Sequence, residues 1–193
     1  MALRLFIAIE LSAPIRAAIG HAMDTLQQAT PRHAIRWVPS ENLHLTLKFL
    51  GDTPETQVEA IRQALGKAVE GQQAITLRVE GNGCFPNIRR PRVIWLGLND
   101  SANRLVPLQT AIEAAIAPLG FPTDQRPFSP HLTLGRVKDH TPVEMLTQIG
   151  HGIQNKPMGL ITTWPCQAVS LMKSDLRPSG AVYTQLAHYT FNS

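Results

Sequence analysis

Residues 44–47 read His44-Leu45-Thr46-Leu47, and residues 131–134 repeat the tetrapeptide as His131-Leu132-Thr133-Leu134. Side chains alternate between the two faces of a strand. In each copy the histidine and threonine therefore share one face, and the two leucines point to the other, into a core. Each copy presents an imidazole beside a hydroxyl on a rigid strand. A tetrapeptide repeated across the two halves of a chain also suggests an internal duplication.

Working outward from the motifs, strand and helix signals alternate. Leu3 to Glu10 is an apolar strand, and Pro14 opens a helix with Ile15, Ile19, Ala22 and Leu26 on one face. A strand from Leu43 to Leu50 is expected to end at Gly51-Asp52. A second helix follows Pro54, with Val58, Ile61, Leu65 and Ala68 as its stripe and Gly71 as its stop. Ile75 to Val79 and Val93 to Leu98 read as strands parted by turn signals at Gly81-Asn82-Gly83 and Pro86-Asn87. A third helix, Asn103 to Leu119, buries Leu105, Leu108, Ile112, Ile116 and Leu119 before Gly120. The strand His131 to Val137, a short helix after Pro142, and strands near Val169 to Met172 and Val182 to Thr190 complete the pattern. The expected fold class is α+β. It is a bilobed single domain over residues 1–193 with pseudo-two-fold symmetry, its two mostly antiparallel sheets flanked by helices around a central cleft. The order of elements suggests one helix-covered sheet in each half.

The composition agrees with a packed domain. The 193 residues are 44% apolar and 17% charged, and no apolar run reaches the ~20 residues that span a bilayer. Residues 1–11 lack a basic flank and a small-residue cleavage site, so they read as a first strand rather than a signal peptide. Cys84 and Cys166 have no metal-ligand spacing and are expected to be two buried thiols in a reducing cytoplasm. A net charge of +4 and a pI near 9.4 favour a polyanionic partner. No Lys/Arg run makes a basic tail.

Two facing imidazoles suit hydrolysis of a phosphodiester. A base must deprotonate the incoming water and an acid must protonate the departing oxygen, on opposite sides of phosphorus. Histidine does either near neutral pH. The threonine hydroxyls would hold the non-bridging oxygens. A metal site is the competing reading. Two histidines lack a third ligand on the motif face, where Asp124 and Asp139 do not fall, so no metal or cofactor is expected.

The chain resembles the two-histidine phosphoesterase superfamily, and within it the RNA 2',3'-cyclic phosphodiesterases of the LigT type, historically labelled 2'-5' RNA ligases. The resemblance rests on residues 4–9, on Arg36-Trp37-Val38-Pro39 leading into residues 41–51, on residues 91–97, and on residues 126–136 with their Arg-Pro-Phe lead. It implies opening of an RNA terminal 2',3'-cyclic phosphate to a 2'-phosphomonoester without a metal. His44 would be proton donor, His131 proton acceptor, and Thr46, Thr133 and Arg136 phosphate contacts. The expected partner is RNA with a cyclic-phosphate end, and a monomer is expected. Arg136 lies five residues after His131, an odd offset that aims it off the catalytic face unless a bulge near Gly135 re-aims it.

Other residues read more weakly. Phe6, Trp37 and Phe128 have the shape to stack a base but are expected to be core. Arg89, Arg90 and Arg92 form a loop cluster suited to an RNA backbone or simply to solvent. Lys48 shares parity with His44 and is expected at the cleft rim. His21, His33, His140, His151 and His188 are given no role. A 2'-5' ligase running the chemistry in reverse, a small-molecule cyclic phosphodiesterase and a non-catalytic RNA-end sensor remain as alternatives.

Overall fold

The computed structural model describes residues 2–178 and 180–192. Its nine strands are β1 (Ala2–Glu10), β2 (Ile35–Trp37), β3 (His44–Pro54), β4 (Ile75–Phe85), β5 (Val93–Asn99), β6 (His131–Val137), β7 (Leu160–Cys166), β8 (Ala168–Arg177) and β9 (Gly180–Thr190). The helices are α1 (Ala13–Gln28), α2 (Val58–Ala68), α3 (Leu105–Ile116) and α4 (Val143–Gln154). All pairings within the two sheets are antiparallel. The first sheet has the order β3-β1-β8-β9 and the second β2-β6-β5-β4-β7.

The expected elements form, with corrections. β2 and β7 were not foreseen: β2 is three residues long, and β7 carries the polar run Thr162-Thr163 and a proline. Gly51 and Gly81 signal turns in the sequence but lie inside β3 and β4. Both have positive φ, and register shifts at each place show bulges rather than chain reversals. A residue that tolerates φ > 0 serves either purpose. The third helix starts two residues later than expected. The Asp100 carboxylate accepts the backbone N–H of Leu105 at 2.7 Å and that of Arg104, and Asn103 takes a left-handed φ of 53°.

The halves are not separate sheets. β1 joins the first sheet, then α1 packs beside β7 of the second. β2 stays with the second sheet and β3 returns to the first. β4 and β5 cross again, and β8 and β9 close the first sheet. Leu5, Ile7, Ile9, Leu45 and Leu47 of the first sheet are buried with Ile61, Leu65, Leu108 and Ile112 of α2 and α3, all in one continuous apolar core. In that core Leu77, Leu96, Leu132 and Leu134 of the second sheet join Ile15, Ile19, Ile149 and Ile153 of α1 and α4. Each sheet thus has a helix-covered face and an open one. The open face of the first sheet carries a smaller group, Phe6, Ala8 and Met172 with Tyr183 against them. Both cysteines are free and buried, and burial raises the thiol pKa, to about 11 for Cys84. Among the described residues no helix is long and apolar enough to cross a membrane.

Candidate active site

The two motif strands lie against each other where the sheets meet. β3 begins at His44 and β6 at His131, and the expected parity holds in both. Each histidine and threonine is half-buried while the leucines between them are fully buried.

The two strands then break step at the same place. Ala8 pairs with Thr46 but Ile7 pairs with Lys48, which leaves Leu47 unmatched. Trp95 pairs with Thr133 but Ile94 pairs with Gly135, which leaves Leu134 unmatched. A bulge shifts strand parity by one. The residue five after each histidine therefore returns to the histidine face. In β6 this is Arg136, so its odd offset is resolved. In β3 it is Phe49, which is 69% exposed.

The same bulge overturns the expectation for Lys48. It is turned off the cleft and buried, its ammonium 2.5 Å from Glu113 of α3 and 3.0 Å from the Pro122 carbonyl. Gln109 bonds both Glu113 and the carbonyl of the bulged Leu47. Trp37 and Phe128 pack on the core as expected. Phe6 does not join that core but lies on the open face, 4.8 Å from the His44 ring.

The imidazoles are held alike. His44 Nδ1 lies 2.7 Å from the Asn42 carbonyl, and His131 Nδ1 lies 2.7 Å from the Ser129 carbonyl. A carbonyl only accepts, so Nδ1 carries the proton in each ring and Nε2 is left to exchange one. Asn42 is tied in turn to the Ala181 carbonyl of β9 at 2.8 Å. Aromatic rings brace both histidines. Tyr183 meets His44 edge-on at 5.3 Å, and Phe85 meets His131 edge-on at 4.9 Å. A cavity of about 470 Å³ opens beside His44, between Phe6, Glu10, Arg16, Glu41 and Tyr183. Another of about 370 Å³ opens beside His131, between Glu80, Phe85, Trp95 and Ser129.

Burial pushes the His44 pKa below its ordinary value, opposed by its bond to Asn42 and by the negative charge of Glu10. Glu10 stands directly across the strand pair from His44. Sequence reasoning passed over it. Its carboxylate accepts from Ser170 and Gln185, both at 2.6 Å, and the Ser170 hydroxyl meets His188 Nδ1 at 3.0 Å. His188, given no role above, thus borders the site through Ser170. No local signal links Glu10 to residues so distant in the chain. Arg136 and Arg4 both act electrostatically on the Tyr183 hydroxyl, whose pKa burial raises, so Arg136 of the second sheet is felt beside His44 of the first. Asp124, weighed as a metal ligand, pairs instead with Arg126 at 3.2 Å. Among the described residues no three His, Cys, Asp or Glu side chains gather as a ligand set.

The LigT-like phosphoesterase family model matches this chain twice, over residues 9–95 and 96–183, one motif in each match. The chain belongs to that family. Among its relatives is the RNA 2',3'-cyclic phosphodiesterase of Methanothermobacter thermautotrophicus, 33% identical over 96% of this chain and 97% of that protein. The enzyme of the same name from Thermus thermophilus is 32% identical, over 97% of this chain and 90% of that one. Among solved structures, a Thermus thermophilus protein superposes with a TM-score of 0.81 at 29% identity, covering 98% of both chains. Escherichia coli LigT complexed with 3'-AMP superposes with a TM-score of 0.78 at 28% identity over the whole of both. The LigT-like family has the α+β architecture of two antiparallel sheets described here. Its twofold match follows the two copies of the histidine motif.

Proposed function

We propose that this member of the LigT-like family hydrolyses the terminal 2',3'-cyclic phosphate of RNA to a 2'-phosphomonoester, with no metal in the reaction. The observation that carries the reading is the twinned histidine geometry. Each ring is tied through Nδ1 to a carbonyl at 2.7 Å, with Nε2 left free, on strands that abut. In this reading His131 Nε2 takes a proton from water as the water oxygen bonds to phosphorus. The bond from phosphorus to the 3' oxygen breaks in line, and His44 Nε2 delivers its proton to that oxygen. Thr46, Thr133 and Arg136 hold the non-bridging oxygens.

A donor must arrive protonated, and burial works against that at His44. The bond to Asn42 and then the charge of Glu10 opposite offset part of that penalty, and a bound phosphate anion would add to the offset. Support also comes from the names of relatives that align over nearly the whole chain. The two motifs bring no third ligand with them, and among the described residues none gathers beside them, which favours the metal-free form.

The test is turnover of an oligoribonucleotide ending in a 2',3'-cyclic phosphate, with excess EDTA, the product followed by phosphorus NMR. A 2'-phosphomonoester formed at an undiminished rate is expected. A 3'-phosphate product, or activity lost to chelation and restored by one divalent ion, overturns the reading.

A further inference from the structure

β2 lies at the edge of the second sheet, and its register with β6 sets Arg36 directly opposite Arg136. Residues directly opposite in an antiparallel pair share a face, with Cα atoms about 5 Å apart. Ile35 and Trp37, the neighbours of Arg36, pack on the core, so Arg36 points to the open face with Arg136. Both are exposed. Like charges so placed repel and destabilise the pair. Among the described residues neither arginine has an acidic partner.

The positive charge continues beyond this pair. Val93 of β5 also pairs with Arg136, and the loop that feeds β5 carries Arg89, Arg90 and Arg92, all exposed. That loop is held in shape. The Asn87 side chain accepts the N–H groups of Arg89 and Arg90 at 3.0 and 3.1 Å. Gly150 of α4 approaches Ile88 so closely that a Cβ there would lie 2.0 Å from its carbonyl oxygen. The Arg92 carbonyl accepts the Val137 N–H at 2.9 Å, which places the loop at the Arg136 end of β6.

We infer that Arg36 and Arg136 form a subsite for the phosphodiester that precedes the RNA terminus, with the single strand leaving toward the Arg89–Arg92 loop. This rests on the proposed reaction at His44 and His131 and extends it to the chain behind the reacting end. Arg136 is about two strand steps past Thr133 once the bulge is counted, roughly 7 Å. That is short enough for one guanidinium to lie between the reacting phosphate and its neighbour. Arg36, one strand further out, reaches the neighbour alone. A mononucleotide has no second phosphate to offer, so the subsite selects for a polynucleotide.

The experiment compares kcat/KM for a cyclic-phosphate-ended oligoribonucleotide with that for a mononucleoside 2',3'-cyclic phosphate, in the natural protein, Arg36→Gln and Arg36→Lys. Salt dependence of binding is measured alongside, on a fluorescent single-stranded oligoribonucleotide bearing the 2'-phosphate product end. The natural protein should prefer the oligonucleotide. Arg36→Gln should cut that preference about tenfold, the scale of one charged hydrogen bond, and should lower the slope of log affinity against log salt by about 0.7. Arg36→Lys should keep most of the slope. Arg36 is exposed on an edge strand, and thermal melting of the variants verifies that they fold. An unchanged preference and slope in Arg36→Gln overturns the subsite, as does a natural protein that treats both substrates alike; either leaves the hydrolysis standing. A natural protein that opens neither substrate overturns the proposed reaction, and the subsite with it.

Discussion

Replacing Lys48 with methionine separates a structural lysine from a cleft residue. Its ammonium is 2.5 Å from Glu113, with only 4% and 11% of the two side chains exposed. Glu113 is also bonded by Gln109, which reaches the carbonyl of the bulged Leu47. Methionine fills the volume but leaves the carboxylate buried without its cation, a loss of about 3–5 kcal/mol. For a chain of this size each kcal/mol shifts the melting midpoint by about 2–4 °C. Lys48→Met should therefore melt about 6–20 °C lower. Lys48→Met combined with Glu113→Leu removes both charges and should recover most of that loss. Thermal unfolding by circular dichroism reads all three proteins. Turnover well below the midpoint should stay within a few-fold of the natural protein, because the histidine rings are held by Asn42 and Ser129 rather than by Lys48. A Lys48→Met protein that melts within ~2 °C of the natural one, or that loses turnover without losing stability, refutes the argument and returns Lys48 to the cleft.

His44→Ala and His131→Ala should each cost at least ~10²-fold in turnover, and the double variant little more, because a concerted pair acts as a unit. Thr46→Ala or Thr133→Ala should cost less, on the scale of one neutral hydrogen bond, ~0.5–1.5 kcal/mol; steady-state kinetics check the order. Proton NMR should place the His44 titration below 6.5 in the free protein and move it upward when a nucleoside 2'-phosphate binds, while Glu10→Gln should lower it further. The same shift makes the fold less stable as pH falls from 6.5 toward the folded-state value, where the unfolded chain takes up a proton that the folded one refuses. His44→Gln should remove that loss in denaturant titrations, and an equal pH dependence in both proteins would count against it. A Cβ on Gly83 would lie 2.4 Å from the Trp95 ring. Gly83→Ala should therefore displace that indole from beside His131, costing about 1–3 kcal/mol in stability and lowering activity; unchanged values in both assays would show the ring free to give way.

The amino-acid sequence by itself determined what depends on near neighbours. The apolar stripes at Ile15, Ile19 and Leu26 and at Ile61 and Leu65 specify helices with one buried face. The alternation in both His-Leu-Thr-Leu copies settles which side chains leave the core, because periods of 3.6 and 2 are properties of a few consecutive residues. The duplication was legible in the same way, and the family model matches the two halves separately, with one copy of the motif in each. The tertiary structure alone decided the partners and register of each strand, which depend on residues far apart in the chain. Register placed Glu10 opposite His44 and Arg36 opposite Arg136, and interlaced two sheets that the order of elements had suggested were separate. It also placed the bulges at Leu47 and Leu134. A bulge exists only relative to a neighbouring strand, since it is a mismatch in the count of residues between two paired chains. That mismatch turned Lys48 toward Glu113 and returned Arg136 to the face of β6 that carries His131 and Thr133.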